Sequence, residues 1–420
     1  MTKTPPSEAG TAMSQPPSAA PERLLDRSFL ALCAVSLSHN LGEKLFFVFL
    51  VYLSPASNIL VSFIYLAAGL PAILFGSVAG VVVDRFSLRT LMAVTSILRM
   101  IQVATLPLVG HDIGWLLFHG FLFSFITRFF DPAFMKAIPT LVAPRYLMTA
   151  NSVFMTMMVG ALIGSFALSS PVWNWTLVNG QMGAHWVVVG LYAIATISTL
   201  LIRFPARQDP APHQESTSFF DEWRFAFEYL QTHPRLLRAY GMTMTLFGTI
   251  AAVNVIARGF AEVTLHPARP TDFTYIQAFA GIGMVLMAGI LARWGQQVPK
   301  GTLIQRGFVV AGGALIGMGI LGAVATSGQI AGQSAWNVAF ALAIALGVGA
   351  AAIELPVSTL VQEGVEPHVR GRIFGVQAML MNLASTLPMA LVGYFADLWG
   401  PVLVMGLLGG QMAITAFRRL

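Results

Sequence analysis

The chain has 420 residues, of which 56% are hydrophobic and only 10% carry a charge. Soluble domains carry about 25% charged residues, so a water-soluble fold of this length would lack the polar side chains needed to cover its surface. The net charge of +6 comes from Lys and Arg residues placed between apolar runs, which excludes a basic patch for nucleic acid and leaves a polytopic membrane protein.

The first 27 residues are rich in Pro, Ser and Ala and predict a disordered tail without the pattern of a signal peptide. Twelve apolar runs follow, each near the length of about 20 residues that a helix needs to cross a bilayer. Helices are expected because the runs do not alternate in polarity every two residues, as barrel strands would. The predicted spans cover 29–54, 59–83, 90–110, 114–134, 149–169, 184–202, 238–263, 273–292, 302–325, 335–360, 373–395 and 399–417.

A polar stretch at 203–237 divides the chain into two six-span halves, 28–202 and 238–420. Helical spacing within this stretch predicts an amphipathic helix on the cytoplasmic face, with a solvated linker as the alternative. Its apolar face comprises Phe219, Trp223, Phe227 and Leu230.

The distribution of positive charge predicts the orientation. Nineteen Lys and Arg residues fall in the segments on one side of the predicted spans, and only Arg258 and Arg269 fall on the other. Cytoplasmic segments carry the excess of positive charge. The sequence therefore predicts an even number of spans with both termini in the cytoplasm.

The two halves are weakly similar to each other. Residues 138–154 align without a gap to residues 361–377, which places Pro144 on Pro367 and, in the same register, Asp131 on Glu354. Internal repeats with a site at their interface are a common plan of secondary transporters. The pattern predicts an internal repeat of two related six-span halves.

The segment between spans two and three reads "GSVAGVVVDRFSLRTLM". Gly76 and Gly80 are four residues apart, a spacing that lets a neighbouring helix approach closely. Asp84, Arg85 and Arg89 then crowd a very short loop. This is the most specific motif in the chain.

The motif resembles the signature loop of the major facilitator superfamily through Gly80, Asp84, Arg85 and Arg89. Two positions depart from that pattern, with Ser87 in place of a glycine and Leu88 in place of an arginine. The variant resembles most the transmembrane secretion effector branch, which includes the enterobactin exporter and macrolide efflux proteins. Three further segments are similar to that branch, at 129–153, 228–238 and 369–376.

The resemblance implies an all-helical transporter with the major-facilitator fold, two six-helix bundles around a central cavity, that works by alternating access in a bacterial inner membrane. We expect it to act as a monomer without a cofactor. It implies proton-driven export of a small organic molecule of the siderophore or amphipathic drug class. Span five carries Ala161 after Gly160 where antiporters of the superfamily usually have a Gly-Pro pair. This departure favours the first alternative, an importer or uniporter of the same fold. The second alternative belongs to another class, a non-transporting membrane sensor or assembly factor.

The resemblance also implies that Asp84 docks at the inner end of span eleven, near 370–373, where a helix N-terminus stabilises an anion. Arg128, near the inner end of span four, is expected to pair with Asp84 and complete an inner latch. In the alternative interpretation, the charged loop only sets the orientation of the protein in the membrane.

Charged side chains inside the predicted spans are the next candidates, because ionisable groups there are costly and usually functional. Asn40, Glu43 and Lys44 lie on one face of span one by helical spacing. A carboxyl group in a partly dehydrated cavity suits a proton carrier, so Glu43 is the leading candidate. In the alternative, Glu43 and Lys44 neutralise each other.

Four more polar residues are candidates for protons or substrate. Asp131 and Glu354, near the inner ends of spans four and ten, are interpreted either as helix-end or gate charges or as ligands. Arg99 is expected to contact either an anionic substrate or a helix carbonyl, and Asn254 either substrate or a neighbouring helix.

Enzyme chemistry finds no support in the sequence. His39 and His111 stand apart from other ligands in the sequence, and no cluster has the spacing of a metal site. A phosphate-binding loop is absent from the sequence, and the single Cys33 excludes a disulfide framework. We therefore expect a small molecule, protons and the lipid bilayer as the partners of this chain, with no metal and no cofactor.

Overall fold

A computed structural model of the chain describes residues 26–108, 112–178, 183–204, 224, 228–365 and 370–417. In this part of the chain the structure has twelve long α-helices, a short helical segment at 228–232 and no strand, so the predicted all-helical class is confirmed. The helices of the first half are α1 (Arg27–Leu53), α2 (Asn58–Arg85), α3 (Leu88–Ala104), α4 (Ile113–Leu141), α5 (Leu147–Val178) and α6 (Ala184–Leu201). Those of the second half are α7 (Pro234–Thr264), α8 (Thr274–Trp294), α9 (Lys300–Thr326), α10 (Gly332–Gly364), α11 (Arg370–Trp399) and α12 (Pro401–Ala416).

Ten of these helices are long and apolar enough to cross a membrane, and α12 is apolar but shorter. Most helix bounds agree with the predicted spans, but α4 and α5 continue beyond them, to Leu141 and Val178, and α3 ends at Ala104, six residues before its predicted end. The twelve-span count and the cytoplasmic termini remain predictions. The end where α1 joins α2 is called the outer end below, and the end where α2 joins α3 the inner end, following the predicted orientation.

Polar side chains mark where several helices begin. The carboxylate of Asp26 accepts a hydrogen bond from the Phe29 main-chain N–H at 2.7 Å, and Asp112 accepts one from Trp115 N–H at 3.1 Å. These caps satisfy amide groups that have no partner within the helix. The tail prediction for 1–27 lies outside the described residues up to residue 25, and α1 already begins at Arg27.

The helices pack as two groups that meet along two seams. In the first half α1 packs on α5 and α6, and α3 packs on α4 and α6; in the second half α9 packs on α10 and α12, and α7 on α11. Between the halves, α2 packs along α11 and α5 against α8. Small residues permit the closest approaches: a side chain on Gly347 of α10 would collide with the Ala280 carbonyl of α8.

The outer end of the interface between the halves is closed. Tyr52 of α1 donates a hydrogen bond either to Ser169 Oγ of α5 at 2.9 Å or to the Thr271 carbonyl of the second half at 3.1 Å. Ser170 of α5 donates to Asp272 Oδ1 at 2.7 Å. The structure therefore represents a conformation in which the two halves touch through polar groups on the outer side.

Of the predicted amphipathic helix at 203–237, three of its four apolar residues lie outside the described residues. The fourth, Leu230, is buried among the hydrophobic residues of the second half.

Candidate functional site

A buried arginine marks the centre of the first half. Arg99 of α3 has 0% of its surface exposed. Its Nη1 forms a short hydrogen bond with Nδ1 of His39 on α1, and its Nε donates to the Thr95 carbonyl at 3.3 Å. The Thr95 contact matches the helix-carbonyl interpretation of Arg99. Direct contact of Arg99 with a substrate is excluded in this conformation, because the side chain is fully enclosed.

Aromatic rings from two other helices enclose the guanidinium. Its central carbon lies 4.6 Å from the Phe130 ring centre and 5.1 Å from that of Tyr192. The His39 ring stacks on Phe130 with 4.1 Å between the ring centres. A cation over an aromatic face is stabilised by the ring quadrupole, more strongly where water is absent. The ring contacts partly offset the cost of burying this charge.

The hydrogen bond from Arg99 determines the protonation state of the neighbouring imidazole. An arginine can only donate hydrogen bonds, so Nδ1 of His39 must accept, and the proton of the neutral ring then lies on Nε2. That Nε2 faces two carboxylates, with Glu43 Oε2 at 3.6 Å and Asp131 Oδ1 at 3.5 Å. His39 therefore connects a buried cation to two acidic side chains.

His39 is a candidate site residue that the sequence analysis does not include. The prediction that His39 stands apart from other ligands is wrong, because helix packing brings α3 and α4 to it. One signal was available, since His39 lies four residues before Glu43 and so on the same face of α1. The other histidine noted in the sequence, His111, lies outside the described residues.

The three predicted residues of α1 make local contacts. Lys44 Nζ lies 3.0 Å from Glu43 Oε1, the geometry that the neutralisation alternative predicts. Asn40 Nδ2 donates to the Ser36 carbonyl of the same helix at 2.8 Å. Glu43 is thus held by a lysine on one side and by His39 on the other.

Asp131 is the most open member of the cluster, with 46% of its side chain exposed. It lies 3.6 Å from Arg128 Nη2, one turn earlier on α4. The helix-end interpretation of Asp131 is wrong, because α4 continues for nearly three turns beyond it, to Leu141. Arg128 therefore has Asp131 as a partner, and the side chain of Asp84, its predicted partner, lies outside the described residues.

Glu354 in the second half occupies the matching place in its own helix. It too lies nearly three turns before the end of its helix, α10 at Gly364, so the helix-end interpretation is wrong here as well. Its Oε2 atom is buried without a hydrogen-bond partner. A buried carboxylate without a partner is costly, which makes Glu354 the second acidic candidate.

The residues of the signature loop are positioned at the inner end of α2. Gly76, Gly80 and Asp84 belong to α2, but their surroundings lie outside the described residues. Arg85 ends α2 and is exposed. Arg89 donates a hydrogen bond to the Leu200 carbonyl of α6, a contact within the first half. The predicted latch between Asp84 and α11 thus remains a prediction.

An apolar cavity of about 140 Å³ lies between α5 and the helices of the second half. Gln277 of α8 donates to Asn254 Oδ1 of α7 at 2.8 Å, and both side chains line the cavity. The Gln277 Oε1 atom has no hydrogen-bond partner, although the residue is only 9% exposed. Asn254 therefore makes the helix-to-helix bond of the alternative interpretation, in the wall of a cavity that presents one free acceptor. Thr249 also lines the cavity, and the remaining lining residues are apolar. Four methionines are among them, Met284, Met318, Met405 and Met412.

In the part of the chain that the structure describes, no group of three His, Cys, Asp or Glu residues has a geometry that could hold a metal ion.

Comparisons with known proteins agree with this architecture. The model of the Major Facilitator Superfamily matches residues 28–389. The chain is 26% identical to the uncharacterized MFS-type transporter YfiS of Bacillus subtilis (strain 168), over 88% of this chain and 87% of that protein. It is 25% identical to the multidrug efflux pump Tap of Mycolicibacterium fortuitum, over 84% and 85%. Among solved structures, a POT family transporter in complex with 5-aminolevulinic acid is similar in fold, with a TM-score of 0.73, 13% identity and coverage of 93% and 94%.

Proposed function

The chain belongs to the major facilitator superfamily, a family of membrane transporters rather than enzymes, and we propose that it exports a small organic molecule in exchange for protons. In this proposal it acts as a monomer in a bacterial inner membrane, with both termini in the cytoplasm and without a cofactor. Two bundles, 28–202 and 238–420, rock around a central cavity and are joined by the linker 203–237.

The observation that carries the proposal is the cluster around His39. Two carboxylates, Glu43 and Asp131, face one Nε2–H group whose opposite nitrogen is fixed by a buried arginine. Intramembrane acidic and histidine groups in contact are the usual route of protons through transporters. Burying ionisable groups in an apolar interior costs free energy, so such groups usually have a function. This supports a role of the cluster in coupling.

Asp131 is the member best placed to exchange its proton with water, because nearly half of its side chain is exposed. In the conformation that is closed at the outer end, the proposed step is loss of its proton toward the inside. The resulting carboxylate is stabilised by Arg128 and by the Nε2–H of His39. Proton binding from the outside reverses this step after the halves have rearranged. Glu354, which corresponds to Asp131 in the second half, is proposed as a second carrier.

The cavity beside Gln277 supports a substrate with an apolar body. Flexible, polarisable methionine side chains adapt to ligands of different shape, and the lining presents one unpaired acceptor for a hydrogen-bond donor. The printed name of the relative Tap, a multidrug efflux pump, supports export. These features favour an amphipathic drug-like molecule, with a siderophore as the other member of the proposed class.

Flux measurements in proteoliposomes test the proposal. Purified protein is reconstituted with a panel of amphipathic fluorescent dyes, and an inward-directed proton gradient is imposed across the vesicles. We expect dye export to accelerate several-fold and to collapse when a protonophore is added. A dye flux that does not depend on the proton gradient would identify a uniporter. Dye movement in the same direction as the protons would identify an importer. No flux of any compound that binds the folded protein would favour the non-transporting alternative.

A further inference from the structure

The turn between α1 and α2 is held at one end by an aspartate of the second half. Asp397, near the outer end of α11, accepts hydrogen bonds from the main-chain N–H groups of Asn58 at 3.1 Å and Ile59 at 3.1 Å. It also accepts from Ser57 Oγ at 2.9 Å and Asn58 Nδ2 at 2.8 Å. One carboxylate thus caps the first turn of α2 from the opposite half of the molecule.

The other end of the same turn is held by an arginine of the second half. Arg258 of α7 donates through Nη1 to the carbonyl oxygen of Val51 at 2.8 Å or to that of Ser54 at 3.0 Å. These carbonyls belong to the end of α1. The guanidinium is itself positioned by Glu262, whose Oε1 accepts from Nε at 2.9 Å.

The two contacts are complementary in charge. A helix N-terminus carries a partial positive charge and a C-terminus a partial negative charge, each from unpaired main-chain groups. The start of α2 receives an anion from Asp397, and the end of α1 receives a cation from Arg258. The second half therefore holds the turn at 54–58 from both of its ends, by matching charge to helix polarity.

Small residues make this approach possible. A side chain on Gly393 of α11 would collide with Ser62 Oγ and the Asn58 carbonyl. A Cβ on Gly259, next to Arg258, would lie 2.5 Å from Asn58 Oδ1. The Gly393 N–H also donates to Ser62 Oγ at 3.1 Å. The packing around Asn58 thus leaves no space for a side chain at Gly393 or Gly259.

We propose that Asp397 and Arg258 form an outer clamp that stabilises the conformation closed on the outer side and is released when the transporter opens outward. The inference rests on the proposed alternating access. It concerns the end of α2 opposite to the Asp84 loop, so the clamp is a separate device from the predicted inner latch. Asp397 and Arg258 contact main-chain groups at helix ends rather than charged side chains of the first half. A single substitution at either residue should therefore weaken the clamp.

Distances between spin labels test the clamp without any substrate. Cys33, the single native cysteine, is replaced by alanine. Nitroxides are then attached at two outer positions, Leu108 of the first half and Ser327 of the second, in protein reconstituted in lipid nanodiscs. A parallel pair at Ser87 and Gln297 reports the inner end. Double electron–electron resonance gives the share of molecules with a wide outer distance.

We expect Asp397→Ala and Arg258→Met each to raise the ratio of open to closed outer ends by about threefold to thirtyfold, the range that loss of a helix cap produces. Asp397→Asn keeps one acceptor and should shift it less. Gly393→Leu should open the outer end through a steric wedge. Asp112→Ala is the matched control, since Asp112 caps α4 within one half, and it should leave the outer distance unchanged.

An outer distance distribution that stays as in the wild type in both Asp397→Asn and Arg258→Met, with the proteins monodisperse, overturns the clamp. If Asp397→Ala does not fold, these two variants decide the question. An equal shift in Asp112→Ala would also overturn it. The result is distinct from that of the flux assay: a wild-type protein without proton-driven flux would overturn the proposed function and leave the distance measurement standing.

Discussion

Arg99 of α3 and His39 of α1 are joined by a hydrogen bond in the interior of the first half, where the arginine is fully buried. No carboxylate lies within ion-pair distance of the guanidinium among the described residues; the acids that balance it, Glu43 and Asp131, are on the far side of the imidazole. The histidine thus transmits the effect of a buried positive charge to two groups that can bind protons.

Replacing His39 should separate structural from coupling effects. In His39→Leu, Arg99 loses its acceptor outside its own helix, and loss of a hydrogen bond to a charged group costs about 1.5–3 kcal/mol. His39→Gln keeps an acceptor for Arg99 and a donor for the carboxylates, but it does not titrate. We expect the leucine variant to melt several degrees below the wild type and the glutamine variant close to it, as measured by tryptophan fluorescence in detergent. Equal melting temperatures for the two variants would contradict the proposed contact.

Neutralising either acidic partner of His39 should uncouple transport. We expect Asp131→Asn and Glu43→Gln to reduce proton-driven dye export at least tenfold in proteoliposomes while dye binding is retained, because each removes a carboxylate that faces the imidazole. Asp112→Asn, on the other end of α4, is the control and should transport normally. Full coupling in both variants would mean that the transported proton binds outside this cluster.

Glu354 offers a test in the second half. Its Oε2 atom is buried without a partner, so Glu354→Gln should leave the free energy of unfolding unchanged or raise it, because an unpaired neutral amide costs less to bury than an unpaired carboxylate. The same variant should lose proton-driven flux. Thermal unfolding and flux are measured on one preparation. A clear loss of stability would mean that the carboxylate has a stabilising partner and is structural.

Filling the cavity beside Gln277 should weaken substrate binding. Ala350→Leu adds three carbons to the cavity wall, and we expect the affinity for amphipathic dyes to fall about tenfold because overpacking costs about 1–3 kcal/mol. Ala341→Leu, on the exposed face of the same helix, is the control. Gln277→Leu should discriminate among dyes, with the largest loss for those that carry a hydrogen-bond donor. Unchanged dye affinity in Ala350→Leu would place the substrate elsewhere.

Local sequence explains why the helices could be predicted with good accuracy. A chain in a bilayer must satisfy its main-chain polar groups within each span, so the apolar runs alone place the helices to within a few residues at most ends. Asp131 and Glu354 were predicted near helix ends because the same apolar runs were used to predict where the helices end. Their helices continue past the apolar runs as amphipathic segments, which a hydropathy pattern does not delimit.

The sequence by itself determined the all-helical membrane class, the approximate spans and the resemblance to one transporter family, because these depend on composition and on short contiguous motifs. Only the tertiary structure decided that Arg99 meets His39, since the side chains around Arg99 come from three other helices, α1, α4 and α6. It likewise placed Asp397 and Arg258 at the ends of α1 and α2. These contacts depend on how whole helices pack against each other, with small residues such as Gly393 at the closest approaches. No local pattern of the sequence predicts them.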